Sequence, residues 1–282
     1  MAQSLCRDSL GADRCRADGR PLFPQAVNDL LKAFKMTSRQ TVLLSACGIF
    51  IVICPLLAFG QSSQRVHDVT AIDILLAPDQ LMLDRARGAN DRLCGNYPNG
   101  FQLDAIHAAH ITLLQRFVRT SELERVQAAV AEVLRNETPT AWTFKATGYY
   151  DIPVEKLGLA GIVVERSHDL MRLQQKFIDA VSPFTSEKGT AESFALRSDG
   201  ATISQSQQTI RYVSEFVPKS SGKNFNPHVT IGLGTREFVD KLKVEPFSVF
   251  TFQAKSIDIY QLGEFGTAQK MLWSSVDTNE KK

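Results

Sequence analysis

An α+β fold with antiparallel character is what this sequence predicts, and three observations predict it. Short apolar runs bounded by turn formers alternate with amphipathic stretches from residue 69 onward. Residues 247–276 read as strands joined by Gly263-Glu-Phe-Gly266, with no helix between them. A unit of strand, His-x-Thr and helix occurs twice, which predicts two similar lobes. The composition agrees: 44% hydrophobic, 22% charged, 17 Gly and 11 Pro among 282 residues exclude a collagen-like or wholly disordered chain.

Taken in order, Ala71–Ala77 is an apolar run stopped by Pro78, a strand signal, and residues 79–93 are polar-amphipathic and predict a helix. Gly95–Gly100 is dense in turn formers. Ala109–Phe117 reads as a buried strand. Ser121-Glu-Leu-Glu124 is a capping-box sequence, and Leu123, Val126, Val130, Val133 and Leu134 follow at helical spacing. Trp142–Tyr149 and Leu159–Glu165 are strands, and Ser167 caps a helix with Leu170, Leu173, Phe177, Ile178 and Val181 on one side. Residues 185–226 are rich in Ser, Gln, Thr, Lys and Gly and read as a polar insert, a long loop or lid with an apolar island at Ile210–Val217. Asn226–Leu233 is a strand and Thr235–Leu242 a short helix. Phe247–Gln253, Ser256–Leu262 and Lys270–Val276 are three strands.

The first 60 residues differ from the rest. Val42–Phe59 is an uncharged apolar run preceded by Arg39 and followed by Gln61-Ser-Ser-Gln64. It reads as a signal peptide cut after Gly60 or as a short retained membrane anchor, so the chain is expected to be exported, periplasmic or anchored facing the periplasm. Met36 would give that run an ordinary basic start. Four of the five cysteines lie in residues 1–60 and only Cys94 follows, so the body is neither a disulfide scaffold nor a Cys-rich zinc module. The division expected is a leader over 1–60 and a catalytic domain over 61–282. Residues 1–60 hold seven Lys and Arg against four Asp and Glu, which leaves 25 basic and 26 acidic residues for the remainder. A body so near neutrality lacks the cations for a tight, sequence-blind grip on long nucleic acid. A short substrate is expected.

Two tetrapeptides carry the chemistry. His110-Ile-Thr112-Leu and His228-Val-Thr230-Ile share the pattern His, apolar, Thr, apolar, 118 residues apart. On a strand, His110 and Thr112 share one face while Ile111 and Leu113 take the other, and the same holds for the second copy. If the strands face one another, two imidazoles and two hydroxyls converge. That set suits a phosphodiester: one His takes the proton of a nucleophile, the other protonates the departing oxygen, and the hydroxyls donate to the non-bridging oxygens. Two His and two Thr lack the ligand set of a hydrolytic metal site, so no metal or cofactor is expected. His107-Ala-Ala-His110 has a metal-like helical spacing, but no third ligand accompanies it. Tyr149, Tyr150, Tyr212, Phe225 and Trp273 are candidates to stack on a base. Phe225, three residues before His228, and Tyr149 are singled out.

These motifs, with Pro227 before the second, resemble the 2H phosphoesterases, which include 2′-5′ RNA ligase-like proteins and 2′,3′-cyclic nucleotide phosphodiesterases. The resemblance extends more loosely over about 68–276 through the order of strands and helices. It implies a bilobal fold of two pseudo-twofold lobes with antiparallel sheets around a central cleft. It implies catalytic roles for His110 and His228, with His228 activating water and His110 protonating the leaving ribose oxygen, and phosphate binding by Thr112 and Thr230. The implied substrate is a nucleotide or short RNA phosphodiester. Three alternatives stay open: 2′-5′ RNA ligation, an exported nucleotide- or RNA-end-binding protein without turnover, and an envelope protein whose histidines are structural.

Overall fold

A computed structural model of the chain describes residues 68–154, 156–196, 207–263 and 266–276. The apolar run at 42–59 and the whole leader lie outside the described residues. Among the described residues, no helix is long and apolar enough to cross a membrane.

Seven antiparallel strands form one sheet: β1 (Val69–Pro78), β2 (Ile111–Arg119), β3 (Thr143–Val154), β4 (Leu157–Val164), β5 (His228–Thr235), β6 (Phe250–Leu262) and β7 (Ala268–Ser274). Their order is β1-β2-β5-β4-β3-β6-β7, and β1 also pairs with β6. The sheet therefore closes on itself as two halves, β2-β1-β6-β7 and β5-β4-β3. One seam is β3 against β6, from Thr143↔Gln253 to Ala146↔Phe250. The other is β2 against β5, held by the single pair Ile111↔Val229. The two strands expected over 247–262 are one continuous strand, because β6 spans both halves: it pairs with β3 at its start and with β1 and β7 beyond.

Helices cover the apolar face of each half. In α1 (Gln80–Asn96) the Asp79 carboxylate accepts from the Met82 N–H, and Met82, Ala86, Ala89 and Leu93 are buried at helical spacing. α2 (Leu123–Asn136) begins after a 3-10 turn at Thr120–Glu122, and no side chain caps it. The turn displaces Ser121 from the capping position its sequence suggests. Ser167 does cap α3 (His168–Val181), accepting from Leu170 N–H at 3.2 Å.

The stretch expected as a long loop is partly helical. It carries α4 (Gln207–Ser214) and α5 (Phe216–Ser220), which pack on β2. Val213 of α4 joins Ala71, Phe117, Phe194 and Leu262 in a small apolar cluster on the opposite face of β1 and β2 from the main core. A final helix, α6 (Arg236–Val244), is capped by Thr235, the last residue of β5.

Two local features position the paired motifs. Asn90 of α1 donates to the carbonyls of Ile231 (2.8 Å) and Phe101 (2.9 Å) and accepts from Leu103 N–H (3.0 Å). One buried amide thus ties the helix to β5 and to the segment leading into His110. It approaches so closely that a Cβ on Gly232 would lie 2.8 Å from the Asn90 Nδ2, and Gly232 has φ +133°. Only glycine suits that position. The second feature is a bulge in β2. Leu75 pairs with Thr112 and Ile74 with Leu114, so Leu113 has no partner on β1. The carbonyl of Leu113 is taken instead by buried Gln174 of α3 at 3.0 Å.

Candidate active site

The Ile111↔Val229 pair is the centre of the site. Both residues are fully buried in the main core. In an antiparallel pair, opposite residues share a face and their neighbours take the other. His110 and Thr112 therefore emerge on the same side as Thr230 and His228, the side away from the core. The structure brings the four residues of the paired motifs to one face.

Each histidine is held the same way. Nδ1 of His110 lies 2.6 Å from the Ala108 carbonyl, and Nδ1 of His228 lies 2.7 Å from the Asn226 carbonyl. A carbonyl only accepts, so both Nδ1 atoms carry a proton and both Nε2 atoms are left for chemistry. Both imidazoles are partly exposed.

The surroundings of the two Nε2 atoms differ. Nε2 of His110 is 3.2 Å from Thr112 Oγ1 and 3.5 Å from Oδ2 of Asp73, a fully buried carboxylate on β1. Thr112 has one proton and donates it to Asp73 Oδ2 at 3.1 Å. For Nε2 and Oγ1 to be hydrogen-bonded, Nε2 must donate, which makes His110 an imidazolium. Burial pulls the His110 pKa down, but the hydrogen bond and charge of Asp73 and the Ala108 carbonyl outweigh it and leave it raised above 6.5. Gln115 donates to the same Asp73 oxygen at 2.9 Å.

Among the described residues, no carboxylate pairs with His228. Its ring meets Tyr150 edge to face, with centroids 4.7 Å apart. Burial is the main cause that lowers its pKa to about 4; the Asn226 carbonyl opposes this and the charge of His110 adds to it. The two imidazoles are thus shifted in opposite directions, His110 toward holding a proton and His228 toward losing one. Tyr150 reaches this place because Gly161, its partner on β4, has no side chain: a Cβ there would sit 2.2 Å from the Tyr150 ring.

The two aromatic residues singled out for stacking are elsewhere. Phe225 is 4% exposed and lies in the main core, so neither face of its ring is free. Tyr149 is opposite Ile162 on the core face of β3 and packs edge to face on Phe247. Alternation along the strand sends Tyr150, not Tyr149, to the cleft. Trp273 pairs with Ile259 and packs against the main core, while Tyr212 of α4 lies near enough to Asp73 for that charge to help raise its pKa, after burial. Sequence reasoning misses Asp73. Its only signal is one charge inside an otherwise apolar strand run.

Among the described residues, no three His, Cys, Asp or Glu side chains gather as a metal site. His107 pairs with Asp104 at 3.2 Å and stacks on Phe101.

The 2′-5′ RNA ligase superfamily matches residues 82–243, a span that includes both His-x-Thr motifs and more than half of the chain. The chain belongs to this superfamily. Its mixed fold of helices and antiparallel strands is that of the 2H phosphoesterases, which include this superfamily. Among solved structures, TT0787 of Thermus thermophilus is similar at 13% identity, with 73% of this chain and 96% of that chain covered and a TM-score of 0.44. Kluyveromyces marxianus Usb1, solved with uridine monophosphate, is similar at 12% identity, covering 73% and 98%, with a TM-score of 0.35. No curated protein matches the chain. As a 2H phosphoesterase, the chain sits in a superfamily of phosphoesterases and ligases.

Proposed function

We propose that this protein is a metal-independent phosphodiesterase that opens 2′,3′-cyclic phosphates, or related phosphodiesters of nucleotides and short RNA, by two-histidine acid–base catalysis. The observation that carries this reading is the pairing of Ile111 with Val229, which sets both His-x-Thr motifs on one face. The unequal protonation of the two imidazoles supports the direction of the reaction.

In this mechanism His228 Nε2 takes a proton from water as the water oxygen attacks phosphorus. The bond from phosphorus to one ribose oxygen breaks, and His110 Nε2 gives its proton to that oxygen. One water is consumed, a ribose phosphomonoester and a free hydroxyl result, and the histidines exchange protons with solvent to reset. Thr230 donates to a non-bridging oxygen as charge gathers there. Thr112 does the same once its hydroxyl turns from Asp73. Tyr150, beside His228, offers a ring edge to the substrate's base or sugar. The near-neutral body supports a short substrate over long RNA.

The test is to incubate the full-length protein with each of the four 2′,3′-cyclic nucleotides in EDTA and to locate the phosphate in the product. Turnover to a single phosphomonoester that His110→Ala and His228→Ala abolish is the expected result. Tight nucleotide binding without product, or joining of paired RNA ends without hydrolysis, would replace this reading with a binding or ligase role.

A further inference from the structure

The two His-x-Thr motifs are alike in sequence and unlike in what lies beneath them, and the difference is a single buried carboxylate. We propose that Asp73 is a positioning residue that makes His110 the acid of the pair: it takes the Thr112 proton, obliges His110 Nε2 to donate, and so keeps this half of the site loaded with the proton that the leaving oxygen needs. The proposal rests on the phosphodiesterase reading for its catalytic meaning but not for its chemistry.

The geometry is specific. Asp73 is 0% exposed, on the centre of β1, opposite Gln115 on β2 and Tyr260 on β6. Its Oδ2 collects Thr112 Oγ1, Gln115 Nε2 and the edge of His110. Its Oδ1 is buried and has no hydrogen-bond partner among the described residues. Two neutral donors on one oxygen and none on the other leave the carboxylate poorly offset. A buried charge in that condition acts strongly on the nearest ionisable group, and that group is His110. The other titratable groups facing this region are His228 on β5, Tyr150 on β3, Tyr212 on α4 and Tyr260 on β6; Asp258 of β6 accepts from buried Ser274 at 2.6 Å. Of the two carboxylates, it is Asp73 that lies beside His110 Nε2 and acts on its charge. Arg116 lies on the opposite face of β2, paired with Ile72 of the main core.

The same arrangement makes Thr112 a relay. Its one proton cannot serve Asp73 and a phosphate at once. Phosphate binding therefore has to draw that hydroxyl away from Asp73, and release of the product returns it.

The experiment is a proton NMR titration of the imidazole rings in the full-length protein, which needs no substrate and no turnover. In the wild type, His110 titrates above the ordinary value and His228 well below it. Asp73→Asn removes the charge and keeps the shape, and the His110 midpoint is expected to fall by about one pH unit or more while that of His228 moves less. The alkaline limb of kcat/KM shifts down with it, which mere loosening of the fold would not produce. Should Asp73→Asn fail to fold, Thr112→Val and Thr112→Ser decide: valine lowers the His110 midpoint and serine restores it. A His110 midpoint unchanged in Asp73→Asn, or unchanged by valine at 112, overturns the proposal. If the midpoints move as expected but no phosphodiester is cleaved, the role of Asp73 stands and the proposed function fails instead.

Discussion

The β2 half and the β5 half of the cleft begin from the same tetrapeptide pattern and shift their imidazoles in opposite directions. In both, a strand start presents His and Thr on one face, and Nδ1 donates to the carbonyl two residues back. In the β2 half, Asp73 and Gln115 lie under the motif, and Asp73 helps raise the His110 pKa above its ordinary value against the pull of burial. In the β5 half, an aromatic edge lies beside the motif, and His228 is held neutral. The motif supplies two interchangeable imidazoles. The neighbours differ, one a buried carboxylate and one a phenol ring over a glycine. On our proposal that difference sets which imidazole gives a proton and which takes it, and so gives a near-symmetric site its direction.

The comparison is most severely tested by removing each imidazole. His110→Ala and His228→Ala are each expected to lower turnover of a 2′,3′-cyclic nucleotide by ~10²–10⁴-fold, and hydrolysis assays at pH 7 check this. A retained rate in either variant would mean that the halves do not act together. The hydroxyls sharpen the contrast. Thr230→Val is expected to cost ~10²-fold in kcat/KM, the scale of one donor to a developing oxyanion. Thr112→Val removes a hydroxyl already engaged by Asp73 and is expected to cost less, about tenfold, while moving the alkaline limb; paired kinetic measurements across pH separate the two.

How much of this is legible in the residues depends on which interactions are local. Alternation along a strand is local, so the shared face of His110 and Thr112, and of His228 and Thr230, can be read directly. Their meeting depends on the repeated unit and on the family resemblance. The bulge at Leu113 is not local: it exists because Gln174 of α3 takes the Leu113 carbonyl and because Leu113 and Leu114 both reach the core. Simple alternation from Thr112 would have buried Gln115 among apolar residues. The bulge turns it back to the cleft face, where it meets Asp73. The same blindness applies to the aromatics. Nearness in sequence favours Phe225, but the core takes its ring, and Tyr149 and Tyr150 are separated only by the register of β3 against β4. The polar composition of 185–226 conceals α4 and α5 because their burial rests on a few residues, Val213 and Phe216 among them.

Smaller effects come from the neighbours of the β5 half. Tyr150→Ala relieves the burial of His228, so its pKa rises from about 4 toward the ordinary value and the acid limb of the pH–rate curve moves up by about one unit. Gly161→Ala, whose methyl group would push the Tyr150 ring aside, shifts it in the same direction. A change outside the cleft serves as a control. Glu137 receives Arg172 through both oxygens at 3.0 Å and Lys176 at 2.7 Å, joining α2 to α3, and these cations hold its pKa at about 2. Because that value lies below the unfolded one, the stability it contributes is present above pH 4.5 and is lost as pH falls toward 2. Glu137→Gln is therefore expected to lower the thermal midpoint at pH 7 by a few degrees, on the order of 2–4 °C, with the deficit shrinking in acid and the pH–rate curve unchanged; calorimetry across pH checks it.

The central claim, that one cleft holds a charged His110 and a neutral His228 over a single phosphorus, is tested most directly by kcat/KM for a 2′,3′-cyclic nucleotide as a function of pH. The account predicts a bell that rises as His228 loses its proton near pH 4 and falls only above 6.5, where His110 loses its own. A curve with one limb, or one whose two limbs survive replacement of the histidine assigned to each, would contradict it.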